Sequence, residues 1–294
     1  MNALSKNQLK NLAAYRLQKR CDEDEVFVVE GVKMCNEALM SDFTIRTLCG
    51  TAEYINSVND KLTRCGEMYE VTAEQLERLS NQRTPNKVWM IVERRTENGE
   101  RKTENGEWRT ENGERRTENG ERKTENGERR TENGEWRTEN GERKTENGER
   151  LTLALDGLQD PGNMGTIMRI ADWYGIRHIV CSRDTVSCYN PKVVQATMGA
   201  IFRTRIDYCD LAEWLDEAAN KGYATYAAML DGEPYQTATL EQPAALVIGN
   251  EGKGISPNIA ANVQHKLTIP NIGGTCESLN AAVATALLCA EFYR

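Results

Sequence analysis

The sequence predicts an α/β protein of two domains, the second on a mainly parallel sheet, and three observations carry that prediction. Extended and helical segments alternate along both ends of the chain. An array of eight near-identical heptads, residues 94–149, interrupts the alternation. The strands after it, such as "LTLAL" and "ALVIG", are continuous apolar runs, as expected of parallel strands covered by helices on both faces. Without the array's 56 residues the 294-residue chain keeps 238, enough for two compact domains. The expected boundaries are 1–93 for the first domain, 94–150 for a linker and 151–294 for the second.

Before the array, "NQLKNLAAYRLQKR" reads as a helix, "VFVVEG" as extended, "VKMCNEALMS" as a helix and "IRTLCG" as extended. "AEQLERLS" is then a short helix and "KVWMIVE" a closing strand, giving a small α/β domain. After the array, "LTLALDGL" is a strand, and "GTIMRIADWYG" spaces Ile167, Ile170, Ala171 and Tyr174 as a helix. "RHIVCS" is a second strand, while "PKVVQATMGAIF" and "LAEWLDEAANKG" are helices, the latter stopped by Gly222 at a left-handed cap. "ATYAAML", "ALVIG" and "KLTIP" are buried strands, and "SLNAAVATALLCAEFYR" closes the chain as a long helix.

The array repeats R-R/K-T-E-N-G-E. No two positions are apolar, so a coiled-coil seam is excluded. Asn-Gly is a strong hairpin signal, yet turns at Asn105–Gly106 would set Glu104 against Glu107 and Lys102 against Arg109, which disfavours a ladder. A helix would carry one Gly every two turns at a cost of about 1 kcal/mol each. A charge-balanced, disordered tether is the reading these costs leave. Trp108 and Trp136 could stack on bases, but isolated among charges they read as exposed variants of the repeat.

The net charge is -8, of which the two Trp-bearing heptads supply -2. A nucleic-acid role therefore needs a local basic patch or a partner rather than a basic surface. Nine isolated Cys without C-x-x-C, and only His178 and His265 beside them, argue against zinc and against a disulfide framework. Unpaired thiols fit a reducing compartment, and neither a leader nor a membrane-length apolar run is apparent, so a cytoplasmic protein without membrane segments is expected.

Three glycine-rich polar segments each follow a predicted strand of the second domain: "DGLQDPGNMGTIMR", "GNEGKGIS" and "NIGGTCESLN". Loops beyond the carboxyl ends of parallel strands are where such sheets bind ligands, so the three point to one composite site. "GNEGKG" lacks the spacer and the Ser/Thr of a phosphate-binding loop, and "GNMGTIMR" is not G-x-G-x-x-G, which disfavours an NTPase or a Rossmann dehydrogenase.

In that order and at the end of the chain, "LDGLQDPGNMGTIMRIAD", "ALVIGNEGKGIS" and "LTIPNIGGTCESLNAAVATALL" closely resemble the three motifs of the SpoU (TrmH-like) RNA ribose 2'-O-methyltransferases. The resemblance covers nearly all of 151–294. More weakly, "FVVEGVKMCNEAL" and "LSNQRTPNKVWMIV" resemble that family's L30e-like substrate-binding domain. The resemblance implies a SPOUT fold, in which the sheet threads through itself as a deep trefoil knot and two subunits pair as a homodimer. Periodicity shows no knot, and knots are rare.

By motif, the resemblance implies catalytic-site roles for Asn163 and Arg169 in the first segment, Glu251 in the second, and Ser278 and Asn280 in the third. It implies S-adenosylmethionine held by main chain around Gly249, Ile269 and Leu279, with no metal. The substrate it implies is structured RNA, ribosomal rather than transfer RNA. Taken singly, Ser278 reads as a helix N-cap, Asn163 as a turn residue, Glu251 as a solvated carboxylate and Arg169 as a surface charge. Their joint occurrence in ordered motifs favours the site. His178 reads as structural, His265 has no assigned role, and Cys276 could line the pocket. A non-catalytic RNA-binding or ribosome-assembly protein on the same fold is the alternative.

Overall fold

The computed structural model describes residues 2–58, 60, 62, 65–82, 86–95 and 150–294, with the paired positions 101–102, 108–109, 115–116 and 122–123 between them. The N-terminal unit runs β1 (Asn2–Ala3), α1 (Lys6–Ala13), α2 (Gln18–Glu23), β2 (Val26–Glu30), α3 (Val32–Met40), β3 (Ile45–Gly50), α4 (Ala52–Ser57), β4 (Cys65–Glu70), α5 (Ala73–Leu79) and β5 (Val88–Glu93). Its sheet has the order β1-β4-β3-β5-β2 and mixes parallel with antiparallel pairs. Capping boxes at Ser5 with Gln8 and at Thr72 with Gln75 start α1 and α5.

Within the array, β6 (Arg101–Lys102), β7 (Trp108–Arg109), β8 (Arg115–Arg116) and β9 (Arg122–Lys123) pair antiparallel in sequence order. These eight positions are paired; for the rest of 96–149, Trp136 included, the expectation of disorder lies outside the described residues. Lys102 stands opposite Trp108 and Arg101 opposite Arg109, one residue off the two-residue Asn-Gly register.

Beyond the array come β10 (Leu151–Leu155), α6 (Pro161–Trp173), β11 (His178–Ser182), α7 (Pro191–Thr197), β12 (Arg205–Cys209), α8 (Leu211–Asn220), β13 (Ala224–Pro234), β14 (Ala244–Ile248), α9 (Pro257–Asn262), β15 (His265–Thr268) and α10 (Ala281–Phe292). The sheet order is β12-β11-β10-β14-β13-β15 and every pair is parallel. All five residues of β10 and of β14 are buried, which explains their unbroken apolar runs. β13 approaches β15 so closely that a Cβ on Gly232 would lie 2.6 Å from the Lys266 carbonyl carbon. Gly222 has the expected left-handed φ of 88° behind α8. Among the described residues, no helix is long and apolar enough to cross a membrane.

Several elements differ from expectation. The first helix breaks into α1, a 3-10 turn at Ala14–Arg16 and α2. "PKVVQATMGAIF" is not one helix: α7 stops at Met198 and Gly199, both left-handed at φ 51° and 103°, before a 3-10 turn at Ala200–Phe202. The Glu37 side chain occupies the space a Cβ on Gly199 would need, 2.9 Å from its Cγ, so a tertiary contact overrides helical periodicity there. The last helix begins at Ala281, after Ser278. β4 and β12 are mostly half-buried or exposed and lack an apolar pattern, which is why they, with the short α4 and α9, escape the periodicity reading.

The two units are not held by a tether alone. One apolar core runs through both, and at their junction Phe27 packs on Tyr189 (centroids 5.0 Å apart) and Phe43 on Phe202 (5.4 Å). Arg94 and Arg95, the first two positions of the expected linker, belong to this junction. The Arg94 guanidinium lies over Tyr189 and donates to the Val26 carbonyl; that of Arg95 lies over Phe43 and pairs with Asp42.

Candidate functional site

The three glycine-rich segments converge at the carboxyl ends of β10, β14 and β15. β10 is followed directly by the buried Asp156, whose Oδ2 accepts from the Ser256 amide at 2.6 Å. Gly157 follows with φ 63°, and Asp160 caps α6 by accepting from the Asn163 amide at 2.7 Å, with Pro161 in the first turn. After β14, Asn250 donates Nδ2 to the Gly157 carbonyl at 2.7 Å, while its Oδ1 accepts from the Gly252 and Lys253 amides. Two main-chain bonds between Asn250 and Gly254 close this loop. A Cβ on Gly249 would sit 2.5 Å from the Gly254 carbonyl carbon and the Ile255 nitrogen, so the loop can close only over glycine. After β15, Asn271 folds its loop by accepting from the Gly274 amide and donating to the Gly274 and Cys276 carbonyls.

One side chain joins all three segments. Asn163 donates Nδ2 to Glu251 Oε1 at 2.9 Å and accepts at Oδ1 from Asn280 Nδ2 at 2.8 Å, partners 88 and 117 residues away. Asn280 is itself the N-cap of α10, its Oδ1 accepting from the Ala282 and Val283 amides at 3.0 and 3.2 Å. Capping therefore belongs to Asn280 and not to Ser278. It also orients the Asn280 amide, leaving its NH2 aimed at Asn163.

Beside this network opens a cleft of about 780 Å³. Gly249 and Glu251 line it from the second segment, and Ile269, Cys276, Ser278 and Leu279 from the third. The structure thus places all three residues of the implied cofactor set in its wall, together with Glu251 and Ser278. Arg169 stands apart: it is exposed on α6 and makes no hydrogen bond or ion pair among the described residues.

The far wall is formed by Met229, Leu230 and Asp231 of β13, which sequence reading did not single out. A charge directly after the apolar run "ATYAAML" was the available signal. The Lys266 ammonium, 3.0 Å from the Asp231 carboxylate, donates a hydrogen bond that holds this acid below the usual carboxylate range. Asp156 and Asn250, the loop-fixing residues, were also passed over; each sits where a strand turns into a glycine loop.

His178 hydrogen-bonds Asp207 at 2.8 Å and His265 stacks on Tyr226 at 5.0 Å; neither lines the cleft. Cys276 is the exposed thiol, while burial pushes Cys49, Cys188 and Cys289 up to about 12, leaving them inert. Among the described residues no group of His, Cys, Asp or Glu is set to hold a metal ion.

Residues 150–290 match the SpoU rRNA Methylase family, and residues 6–89 match the MRM3-like substrate binding domain. The 23S rRNA (guanosine(2553)-2'-O)-methyltransferase RlmP of Bacillus subtilis is 35% identical over 137 residues, which are 46% of this chain and 55% of that protein. The chain therefore spans little more than half the length of the curated relatives it matches. Over both units, a solved TrmH-family structure from Porphyromonas gingivalis is 34% identical, with a TM-score of 0.76, covering 99% of this chain and 98% of that one. The AdoMet-bound rRNA methyltransferase from Sinorhizobium meliloti is 25% identical, with a TM-score of 0.74, covering 99% and 96%.

Proposed function

Because the chain belongs to the SpoU (TrmH-like) family of RNA methyltransferases, we propose that it transfers the methyl group of S-adenosylmethionine to a ribose 2'-hydroxyl of structured RNA, ribosomal in preference to transfer RNA. The observation that carries this reading is the Asn163 bridge to Glu251 and Asn280, which joins all three motif segments beside the cleft. The N-terminal unit would hold the RNA, consistent with its match to a substrate-binding domain and with relatives named as rRNA methyltransferases. The division at 1–93, 94–150 and 151–294 is retained with one amendment, the docking of Arg94 and Arg95 into the junction. We place the protein in the cytoplasm.

The cofactor fits the cleft on its own chemistry. The volume suits a nucleoside-sized ligand, the walls are partly apolar, and the lining carries the Glu251 and Glu277 carboxylates against the single ammonium of Lys253, Asp231 being paired with Lys266. The glycine-closed loop at Gly249 and the main chain at Ile269 and Leu279 would hold it by backbone groups. When bound, it supplies a methyl group already carrying an excellent leaving group. The protein's own work is then alignment and proton removal. Asn163, Glu251 and Asn280 hold the loops in register, and Ser278 contacts the ribose from the cleft wall. Arg169 binds the neighbouring phosphate and stabilises charge developing on the 2'-oxygen as the hydroxyl proton leaves, whether that proton passes through Arg169 or directly to solvent. No metal is needed.

A homodimer is part of the reading. Helix α10 is apolar on all sides: Ala281, Ala282, Leu288, Cys289 and Phe292 are buried, while Val283, Leu287 and Ala290 form an exposed stripe. Trp173, at the end of the adjoining α6, is 85% exposed. A helix apolar all round is normally buried, and a second copy of this chain would bury it. The knotted threading is likewise proposed, on the family relation and on the placement of β15 beside β13.

The test is methyl transfer from labelled cofactor to total ribosomal and transfer RNA, with the modified nucleotide mapped. Label at a 2'-oxygen of ribosomal RNA is expected. Arg169→Ala and Arg169→Lys should each lose most transfer while retaining cofactor binding. Cofactor binding with no label in any RNA would favour the non-catalytic reading.

A further inference from the structure

The junction between the two units contains a charged clasp as well as apolar packing. Arg203, just past the broken helix α7, donates Nε to both carboxylate oxygens of Asp172 (2.9 and 3.0 Å) and Nη2 to Asp172 Oδ2 (2.9 Å). Its Nη1 pairs with Glu37 of α3 in the N-terminal unit. All three side chains are half-buried, so the clasp contributes little to adhesion beside the cluster of Phe27, Phe43, Tyr189 and Phe202. What a forked guanidinium adds is direction.

Asp172 lies on α6 three residues after Arg169. Side chains at that spacing are neighbours on a helix surface, and a free Asp172 carboxylate would be within reach of the Arg169 guanidinium. In the structure Arg203 engages both Asp172 oxygens, one bond at Oδ1 and two at Oδ2, and Arg169 is exposed without an ion pair among the described residues. We propose that Arg203 is a positioning residue: by occupying Asp172 it keeps Arg169 free for the RNA, and by holding Glu37 it makes that freedom depend on docking of the N-terminal unit. The role in turnover rests on the methyltransferase reading above; the local competition for Asp172 does not.

The decisive comparison is Arg203→Gln against Arg203→Gln/Asp172→Asn, with Arg203→Lys alongside. With ribosomal RNA and labelled S-adenosylmethionine, Arg203→Gln should lower kcat about tenfold and leave KM for the cofactor unchanged. The double variant should recover to within about threefold of the parent, because the competing carboxylate is gone. Arg203→Lys, which keeps charge but not the fork, should fall between. The Arg169 Nε–H signal in a 15N-labelled sample, assigned with Arg169→Lys, reads the same event without turnover. It should shift and exchange more slowly in Arg203→Gln and return in the double variant. A double variant as impaired as the single one, or an Arg169 signal indifferent to both changes, would overturn the proposal. Failure of the parent protein to label any RNA would count against the methyltransferase reading, and the Arg169 signal would still decide the competition.

Discussion

Replacing Asn163 by Ala removes the one side chain that ties the three motif segments together. The bond it donates to Glu251 goes to a carboxylate, and such bonds contribute about 1.5–3 kcal/mol; the bond it accepts from Asn280 is neutral and contributes about 0.5–1.5 kcal/mol. Asn163 is half-buried, and Glu251 and Asn280 are exposed, so water can replace part of both bonds and the low ends apply. Together that is about 2 kcal/mol. If the bridge is what holds the cleft in shape, the full amount would appear as weaker cofactor binding, an upper limit of about 30-fold at 1.4 kcal/mol per decade. A loss of about tenfold in S-adenosylmethionine affinity by titration calorimetry is expected. The melting temperature should fall by no more than about 8 °C, at roughly 2–4 °C per kcal/mol for a protein of this folded size. Asn163→Asp should be worse than Ala, because it sets a second carboxylate against Glu251 where an amide donor stood. Affinities within twofold of the parent for both variants would refute the structural role of the bridge.

Three other outcomes follow from the geometry. Val283→Glu or Leu287→Glu places a charge on the exposed stripe of α10 and should convert a dimer to a monomer in sedimentation, with the monomer still folded. Cutting the array to one heptad while keeping Arg94 and Arg95 should leave cofactor affinity unchanged; on loop-closure grounds an eightfold shorter connection favours the folded state by at most about 2 kcal/mol, so melting should hold or rise. The Asp207 carboxyl would be raised by burial alone, but the His178 hydrogen bond and then the Arg205 charge bring it below its ordinary 3.8. A depressed folded value means stabilisation present above about 3.8 and lost as pH falls below it, so Asp207→Asn should flatten the acid limb of a stability profile.

The legible part of the fold was the part whose side chains are buried on both faces. β10, β11 and β14 are continuous apolar runs, and the glycine loops after β10 and β14 announce themselves by composition. β4 and β12, half-buried at best, carry no such pattern and were invisible. In α7 the sequence was misleading: its helical spacing runs on to Phe202, but Glu37 of the other unit sits against Gly199 and the chain turns left-handed at Met198. Asp156 and Asn250 were missed for a related reason, since a polar residue at a strand end does not reveal which loop it will tie.

What the sequence determined by itself is local and periodic: the alternation of strands and helices, the three polar glycine segments, and the residue types at Asn163, Glu251, Ser278 and Asn280. What only the tertiary structure decided is which of these meet. Asn163 bridges Glu251 and Asn280, Ser278 and the glycine loop wall one cleft, and Arg169 is left free while Arg203 takes Asp172. Propensity and hydrophobic period act over a few neighbouring residues, whereas a hydrogen bond across 88 or 117 residues depends on how the sheet stacks its strand ends.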